Sequence, residues 1–394
     1  MAIILFDDNA HQTLLPLTFT RPVADLRLGI LTIAEKWSKQ LNQNTSFHTQ
    51  PWLQKKFALN IEQDNLLING SVCPDDYLVE AIDKLQTGEA LKYSDQLIAV
   101  RLGESDALQF ESAAQFSKVI TVENTPVIIR FPEDIFRKND IELRKDFKLL
   151  TKGRTSAAIS STNTIIGTDF FAEEGAIAEC STFNTANGPI YLANNTEVWE
   201  GTHIRGAFAI CEHSQVKMGA KIYGATTVGP YSRIGGEVNN AVIWGYSSKG
   251  HEGYLGNSVL GEWCNIGADS NNSNLKNNYD DVKLWDYSTG RYRKTGLQFC
   301  GLIMGDHSKC AINTMFNTGT VVGVSANVFG AGFPVNFVPD FSWGGPQGFE
   351  VYSMVKMLQT AERVFARKPP RVFNDTERDI LQAVFDQTNE WRDF

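Results

Sequence analysis

The segment "LANNTEVWEGTHIRGAFAICEHSQVKMGAKIYGATTVGPYSRI", residues 192–234, decides the fold. Counted by sixes it gives Leu192, Val198, Ile204, Ile210, Val216, Ile222, Val228 and Ile234, an unbroken aliphatic series. Four residues after each member the side chain is mostly small: Thr196, Thr202, Ser214, Ala220, Thr226 and Ser232, with Val238 mid-sized and Phe208 the exception. A helix repeats at about 3.6 residues and a flat strand at about 2, so neither yields a period of six. A β-solenoid does. Each short strand and its turn consume six residues, the aliphatic side chain points into a prism, and successive coils stack at the strand spacing.

The phase slips and is expected to resume at Val242, Tyr254, Leu260 and Ile266. The segment "SNNSNLKNNYDDVKLWDYSTGRYRK" is too charged for a solenoid interior and reads as a loop, 271–298, thrown out of the coil. The six-phase returns at Met304, Cys310, Phe316, Val322 and Val328, and is weakly traceable earlier at Ile166, Ala172 and Ala178. The solenoid is therefore expected over 157–332. Its last coil needs a cap. Residues 345–394 offer two helices, the first with Tyr352, Val355, Met357, Leu358 and Val364 for an apolar face and Pro369 and Pro370 to end it. Asn374 reads as the N-cap of the second, which carries Ile380, Leu381, Val384 and Phe385.

Residues 1–150 read as α/β. "AIILF", "NLLING" and "DQLIAVRL" look like strands; "LRLGILTIAEKWSKQL" and "DDYLVEAIDKL" look like helices. The alternation predicts a mostly parallel sheet. The opening "MAIILFDDNA" meets acid too soon for a secretory signal and reads as a buried first strand. The chain of 394 residues has a formal net charge of -9, which argues against a general nucleic-acid binder. It has no apolar run of membrane-spanning length, and its six cysteines show neither C-x-x-C nor zinc-ligand spacing. A cytoplasmic protein with reduced, mostly buried cysteines and no metal site is expected.

"LPLTFTRPVADLRLG", residues 15–29, resembles the front segment of sugar nucleotidyltransferases, which carry P-L-T, then R/P-K, then a helix. The resemblance implies a nucleotide cleft, near which Arg21, Asp25 and Arg27 are polar candidates. Three departures stand out. "DDNAHQTL" replaces a glycine-rich phosphate loop, Val23 replaces the phosphate-contacting lysine, and Ser71 of "LLINGSV" replaces a Mg²⁺-holding aspartate. Each removes charge compensation that phosphoryl chemistry needs.

A nucleotidyltransferase-like front followed by a hexapeptide solenoid resembles the bifunctional N-acetylglucosamine-1-phosphate uridylyltransferase/glucosamine-1-phosphate acetyltransferase family. In that family the β-helix is left-handed, the chain is a homotrimer, and acetyl-CoA binds between solenoids. "EVNNA" at 237–241, "HEGYLG" at 251–256, "NIGA" at 265–268 and "GDHSKCAINTMFNTGTVVG" at 305–323 resemble its motifs, and Asn278, Tyr279 and Asp280 resemble its N-Y-D.

Carried over by position, the resemblance places His251 on the general base and Tyr254, Asn265 and Asn278 on the sugar phosphate. It places Lys221 on phosphate, and Ala268 and Thr314 on the acyl-CoA side. Asn239 stands where the family has a phosphate-binding lysine. Arg291, Arg293 and Lys294 of the loop are candidates to replace that charge, from the same or a neighbouring subunit.

The readings left open are three. The first is an acyl-CoA-dependent transferase on an amino-sugar phosphate or sugar nucleotide. The second is a sugar-1-phosphate nucleotidyltransferase using Mg²⁺. The third is a non-catalytic trimeric scaffold or sugar-nucleotide sensor.

Overall fold

The computed structural model describes residues 1–116 and 118–394. The chain divides into two compact units: Met1–Leu26 with Leu31–Phe131, and Arg27–Ile30 with Pro132–Phe394. The division thus falls before residue 150, because helix α5 (Pro132–Thr151) belongs with the second unit.

The first unit holds β1 (Ala2–Phe6), α1 (Ala10–Thr13), α2 (Ile33–Leu41), β2 (Thr45–His48), β3 (Asp64–Asn69), α3 (Asp76–Asp83), β4 (Glu89–Tyr93), β5 (Gln96–Gly103), α4 (Glu104–Leu108) and β6 (Lys118–Thr121). Its sheet order is β2-β1-β3-β5-β4-β6. β1 is buried along its whole length, as its unbroken apolar run requires, and runs parallel to β2 and β3.

The sheet is mixed rather than mostly parallel, since β5 runs antiparallel to both β3 and β4. The cause is local. β4 returns into β5 through a tight turn at Ser94, whose φ of 51° is left-handed, and two residues leave no room for a crossover helix. The first expected helix is also shorter than its apolar spacing suggested. Gly29, at φ 74°, interrupts it. α2 starts only where Thr32 Oγ1 accepts from Glu35 N–H at 3.1 Å and Glu35 Oε2 accepts from Thr32 N–H at 2.7 Å, a reciprocal cap.

The second unit is a parallel β-helix with three faces, the prism of the left-handed β-helix class. One face runs from Thr164–Ile166 to Tyr254–Gly256, a second from Phe170–Ala172 to Phe337–Val338, and a third from Ile177–Ala178 to Ser342–Gly345. All eight aliphatic members of the six-period series are at most 2% exposed. The small residues four places on are buried too, and their hydroxyls tie one coil to the next. Ser214 Oγ donates to Gly229 O, and Ser232 Oγ to Trp244 O, each at 2.8 Å.

At one corner the backbone is left-handed at His213, Tyr231, Tyr246, Trp263 and His307. Their rings stack in a column, with Tyr246 and Trp263 centroids 4.2 Å apart.

The phase resumes at Ile243 and Leu255, which join the core, rather than at Val242 and Tyr254. Between them the in-phase position is Lys249, paired with Ile234 on the neighbouring coil and 2% exposed. The expected extruded loop is present. It holds the antiparallel hairpin Lys283–Asp286 and Arg291–Lys294 before the coil returns at Ile303.

Stacked strands continue past Gly332, to Ser342–Gly345. The C-terminal helices are α6 (Met354–Ala366) and α7 (Asp375–Gln387). α6 buries Met357, Ala361 and Phe365, while Val355 is turned to solvent, contrary to the expected face. Phe365 stacks on Trp263 at 3.7 Å between centroids. Asn374 caps α7, accepting from Glu377 N–H at 3.0 Å, and Ile380, Leu381 and Val384 are buried. Every cysteine is free, and Cys180 alone is exposed.

Candidate functional site

His251 lies at a prism corner, in the turn between Ser248–Lys249 on the third face and Tyr254–Gly256 on the first. The turn is packed too closely for side chains. A Cβ on Gly236 would meet His251 O at 2.8 Å, and one on Gly253 would meet Ser270 O at 2.1 Å. Glycine there lets the corners of three successive coils stack, and the His251 ring is left exposed. Its carbonyl is held from inside the prism by Lys249 Nζ at 2.7 Å. Burial pushes the Lys249 ammonium down to about 8, with Glu252, Cys310 and Asp269 pulling it back up and Lys221 opposing them.

Register brings several expected residues onto one outward face. Lys221 lies beside Glu237, and Glu237 beside Tyr254; Tyr223 lies beside Asn239, and Asn239 beside Gly256. The inward partners Ile222, Val238 and Leu255 are buried, so the flanking residues point outward. Lys221 Nζ pairs with Glu252 at 3.5 Å. Tyr254 Oη accepts from Asn274 Nδ2 at 3.0 Å. Tyr254 is thus a half-buried surface residue, not prism filling.

Other expected residues fall elsewhere. Asn265 is exposed on the third face, one turn of chain beyond that row. Asn278 sits in the loop, its Oδ1 accepting from Asp280 N–H at 3.2 Å. Ala268 is a half-buried corner residue whose carbonyl accepts from Asn313 N–H at 2.8 Å.

Thr314 does not present its hydroxyl outward. It is 3% exposed, and its hydroxyl donates inward to Ala311 O at 2.8 Å. It is the small residue four places after Cys310, so the repeat accounts for it. Arg293 is committed as well: it grips Glu133 at 2.7 and 2.9 Å, while Arg291 is exposed.

In the first unit a cleft of about 590 Å³ opens at the carboxyl ends of β1 and β3, the place where open α/β sheets take ligands. Asp8, Asn69, Tyr93, Gln96 and Arg130 line it, residues the sequence reading did not single out. Asp8 accepts from Ala10 N–H and Asn69 Nδ2, both at 2.8 Å, and Arg130 donates to Gln96 Oε1 at 2.8 Å. Asp7 turns away from it, accepting from Val23 N–H at 2.8 Å and Thr49 Oγ1 at 2.5 Å, and burial raises its carboxyl to about 7.

Arg21 and Asp25 pair with each other at 3.1 Å and do not line the cleft. Arg27 lies in the second unit and donates to Ile30 O. Ser71 is fully buried and donates to Asn69 Oδ1 at 2.7 Å. Among the described residues no cluster of three His, Cys, Asp or Glu side chains could hold a metal. No helix among them is long and apolar enough to cross a membrane.

Comparison with known proteins bears on the front part of the chain first. Residues 3–155 match the family model described as sugar nucleotidyl transferase. The bifunctional protein GlmU of Synechococcus elongatus is 26% identical over 164 residues, covering 40% of this chain and 32% of that protein. GlmU of Rippkaea orientalis is 31% identical over 117 residues, 28% of this chain and 24% of that one. The bifunctional sugar-1-phosphate nucleotidylyltransferase/acetyltransferase of Sulfurisphaera tokodaii is 27% identical over 144 residues, 36% and 35% of the two chains.

The matched stretch therefore spans about a third or less of these relatives. A solved structure, that of Arabidopsis UDP-N-acetylglucosamine acyltransferase, overlaps 60% of this chain and 94% of its own at 14% identity, with a TM-score of 0.24. At that score the overlap bears no weight. The class of protein supported is a transferase with a nucleotidyltransferase-type front and a repeat solenoid. More particularly, the likenesses support a GlmU-like family for the chain.

Proposed function

We propose that the chain is an acyl-CoA-dependent N-acyltransferase acting on an amino-sugar phosphate or sugar nucleotide, with His251 as general base. The observation that carries this reading is the exposed imidazole on a rigid corner, beside an outward row that includes Lys221 and Tyr254. Acyl-CoA brings the thioester. An ammonium cannot attack it, so the free-base imidazole takes the proton of the attacking amine as the N–C bond forms and the thiolate leaves.

Lys249 holds the His251 carbonyl, and so the turn, from within. Ala268 leaves room for the thioester, and Asn265 and Asn278 would reach the acceptor from a neighbouring subunit of a trimer. Exposed Arg291 and Lys294 are the loop cations available to offset the charge missing at Asn239.

The test is thiol release from acetyl-CoA with glucosamine-1-phosphate and with UDP-glucosamine. Replacement H251A should abolish acceptor-dependent release while leaving thermal stability unchanged. Turnover that survives the substitution refutes the assigned role. A second reading, nucleotidyl transfer, is favoured by the family match over 3–155 and by the cleft holding Arg130.

A further inference from the structure

One coil beyond Lys221, away from His251, the same outward face carries His203 and Arg205. Register sets His203 beside Lys221 and Thr182 beside His203, with Asn184 beside Arg205. Ile204 and Ile222 point inward, so His203, Arg205, Lys221 and Tyr223 all project outward, and all are exposed. Together with Thr182 and Asn184 they line a groove of about 330 Å³.

No carboxylate lines this groove, on a chain whose net charge is -9. Two acids on the His251 side engage its residues: Glu237, which accepts from Tyr223 Oη at 2.6 Å, and Glu252, which pairs with Lys221. Lys221 is thereby partly neutralised. Among the described residues, no acid comes within ion-pair distance of Arg205 or His203, so these two present the groove's uncompensated donors.

We infer that this groove binds the diphosphate of a nucleoside-diphosphate sugar, so that the acceptor is a sugar nucleotide rather than a sugar monophosphate. The inference rests on the acyl-transfer reading and narrows its substrate. Successive coils are about 4.8 Å apart, so Lys221 lies about 10 Å from the Tyr254 row and His203 about 14 Å.

The Lys221 ammonium reaches the His251 turn, where it meets Glu252 at 3.5 Å, so a sugar whose amine sits at His251 would bring its first phosphoryl group to Lys221. The second phosphoryl group, less than one strand spacing away, falls between Lys221 and the His203–Arg205 pair. The Arg205 guanidinium can take phosphate oxygens through two parallel N–H donors. The Thr182 hydroxyl and Asn184 amide extend the donor set. The charge lost at Asn239 is then supplied one and two coils further along the groove.

The test is calorimetric titration of the full chain with UDP-glucosamine and with glucosamine-1-phosphate, comparing wild type with R205Q and with H203Q/R205Q. These surface positions carry no fold-determining contact. We expect R205Q to weaken UDP-glucosamine about tenfold, the double variant to weaken it further, and glucosamine-1-phosphate to bind unchanged. Unchanged UDP-glucosamine binding, or an equal loss for both ligands, overturns the inference. Turnover lost in H251A alongside unaffected binding in R205Q removes this groove and keeps the acyl-transfer reading; the reverse pair of results keeps the groove and removes that reading.

Discussion

Replacing Lys249 by methionine should stabilise the solenoid unit, because it takes a charge out of the prism. Lys249 occupies a core position that Val216 and Ile234 hold on neighbouring coils, and it is 2% exposed. Its single hydrogen bond to His251 O leaves two ammonium protons without a protein acceptor. Burial lowers the folded-state pKa to about 8 from 10.5.

The unfolded chain therefore binds this proton more tightly than the folded one, and stability falls as pH drops from 10.5 towards 8, with the full cost present below 8. A shift of that size costs about 3 kcal/mol at pH 7 and about 1 kcal/mol at pH 9.5. Methionine forfeits the hydrogen bond, about 1 kcal/mol, and its flexible thioether fills the same channel. K249M should thus gain about 2 kcal/mol at pH 7, or about 5 °C in the melting temperature, and almost nothing at pH 9.5. Thermal melting at both pH values reads this directly. A variant less stable than wild type at pH 7, or a gain that does not change with pH, refutes the reasoning.

Two further outcomes are expected. Asn139, fully buried on α5, donates to Ala225 O at 2.9 Å and accepts from Gly29 N–H at 2.6 Å and Thr227 Oγ1 at 3.1 Å; N139A should cost about 3 kcal/mol in chemical denaturation, and a loss below about 1 would show that water replaces the amide. UTP should bind the first-unit cleft of the full chain, and R130Q should weaken it about tenfold in titrations with Mg²⁺ supplied by the nucleotide salt; equal binding by the variant would take the cleft out of consideration.

The solenoid was legible because its inward positions are chemically uniform: from Leu192 to Ile234 every sixth residue is aliphatic, and each is buried. The front domain was legible as α/β from its apolar runs, but its strand directions were not. A two-residue turn at Ser94 reverses the chain where alternation alone implied a crossover. The corner bearing His251 was found through motif spacing, since glycine and histidine in a turn carry no periodic signal of their own.

The cleft residues Asp8, Asn69, Gln96 and Arg130 were missed because they come from separated segments that only the sheet gathers. Thr314 was placed by motif spacing, while the repeat's own rule accounts for its buried hydroxyl. As the fourth residue after an inward Cys310, it had to turn inside.

The break in phase near residue 242 has the same kind of cause, and it bears on function. Lys249 and Asn272 both face the interior, where the other coils place aliphatic, aromatic or thiol-bearing residues. Asn272 meets its needs fully, accepting from Gly256 N–H at 2.8 Å and donating to Gly256 O at 3.0 Å. Lys249 does not. Polar groups inside a prism are costly, and these two flank the turn that carries His251 on successive coils. A core position that carries such a cost beside this turn is expected where function rather than stability sets the residue. K249M separates the two demands. If it melts later yet turns over more slowly, with the acceptor binding as before, the lysine is retained to hold the His251 turn in place. If it melts later and turns over unchanged, the turn holds itself, and the buried charge has no part in the chemistry.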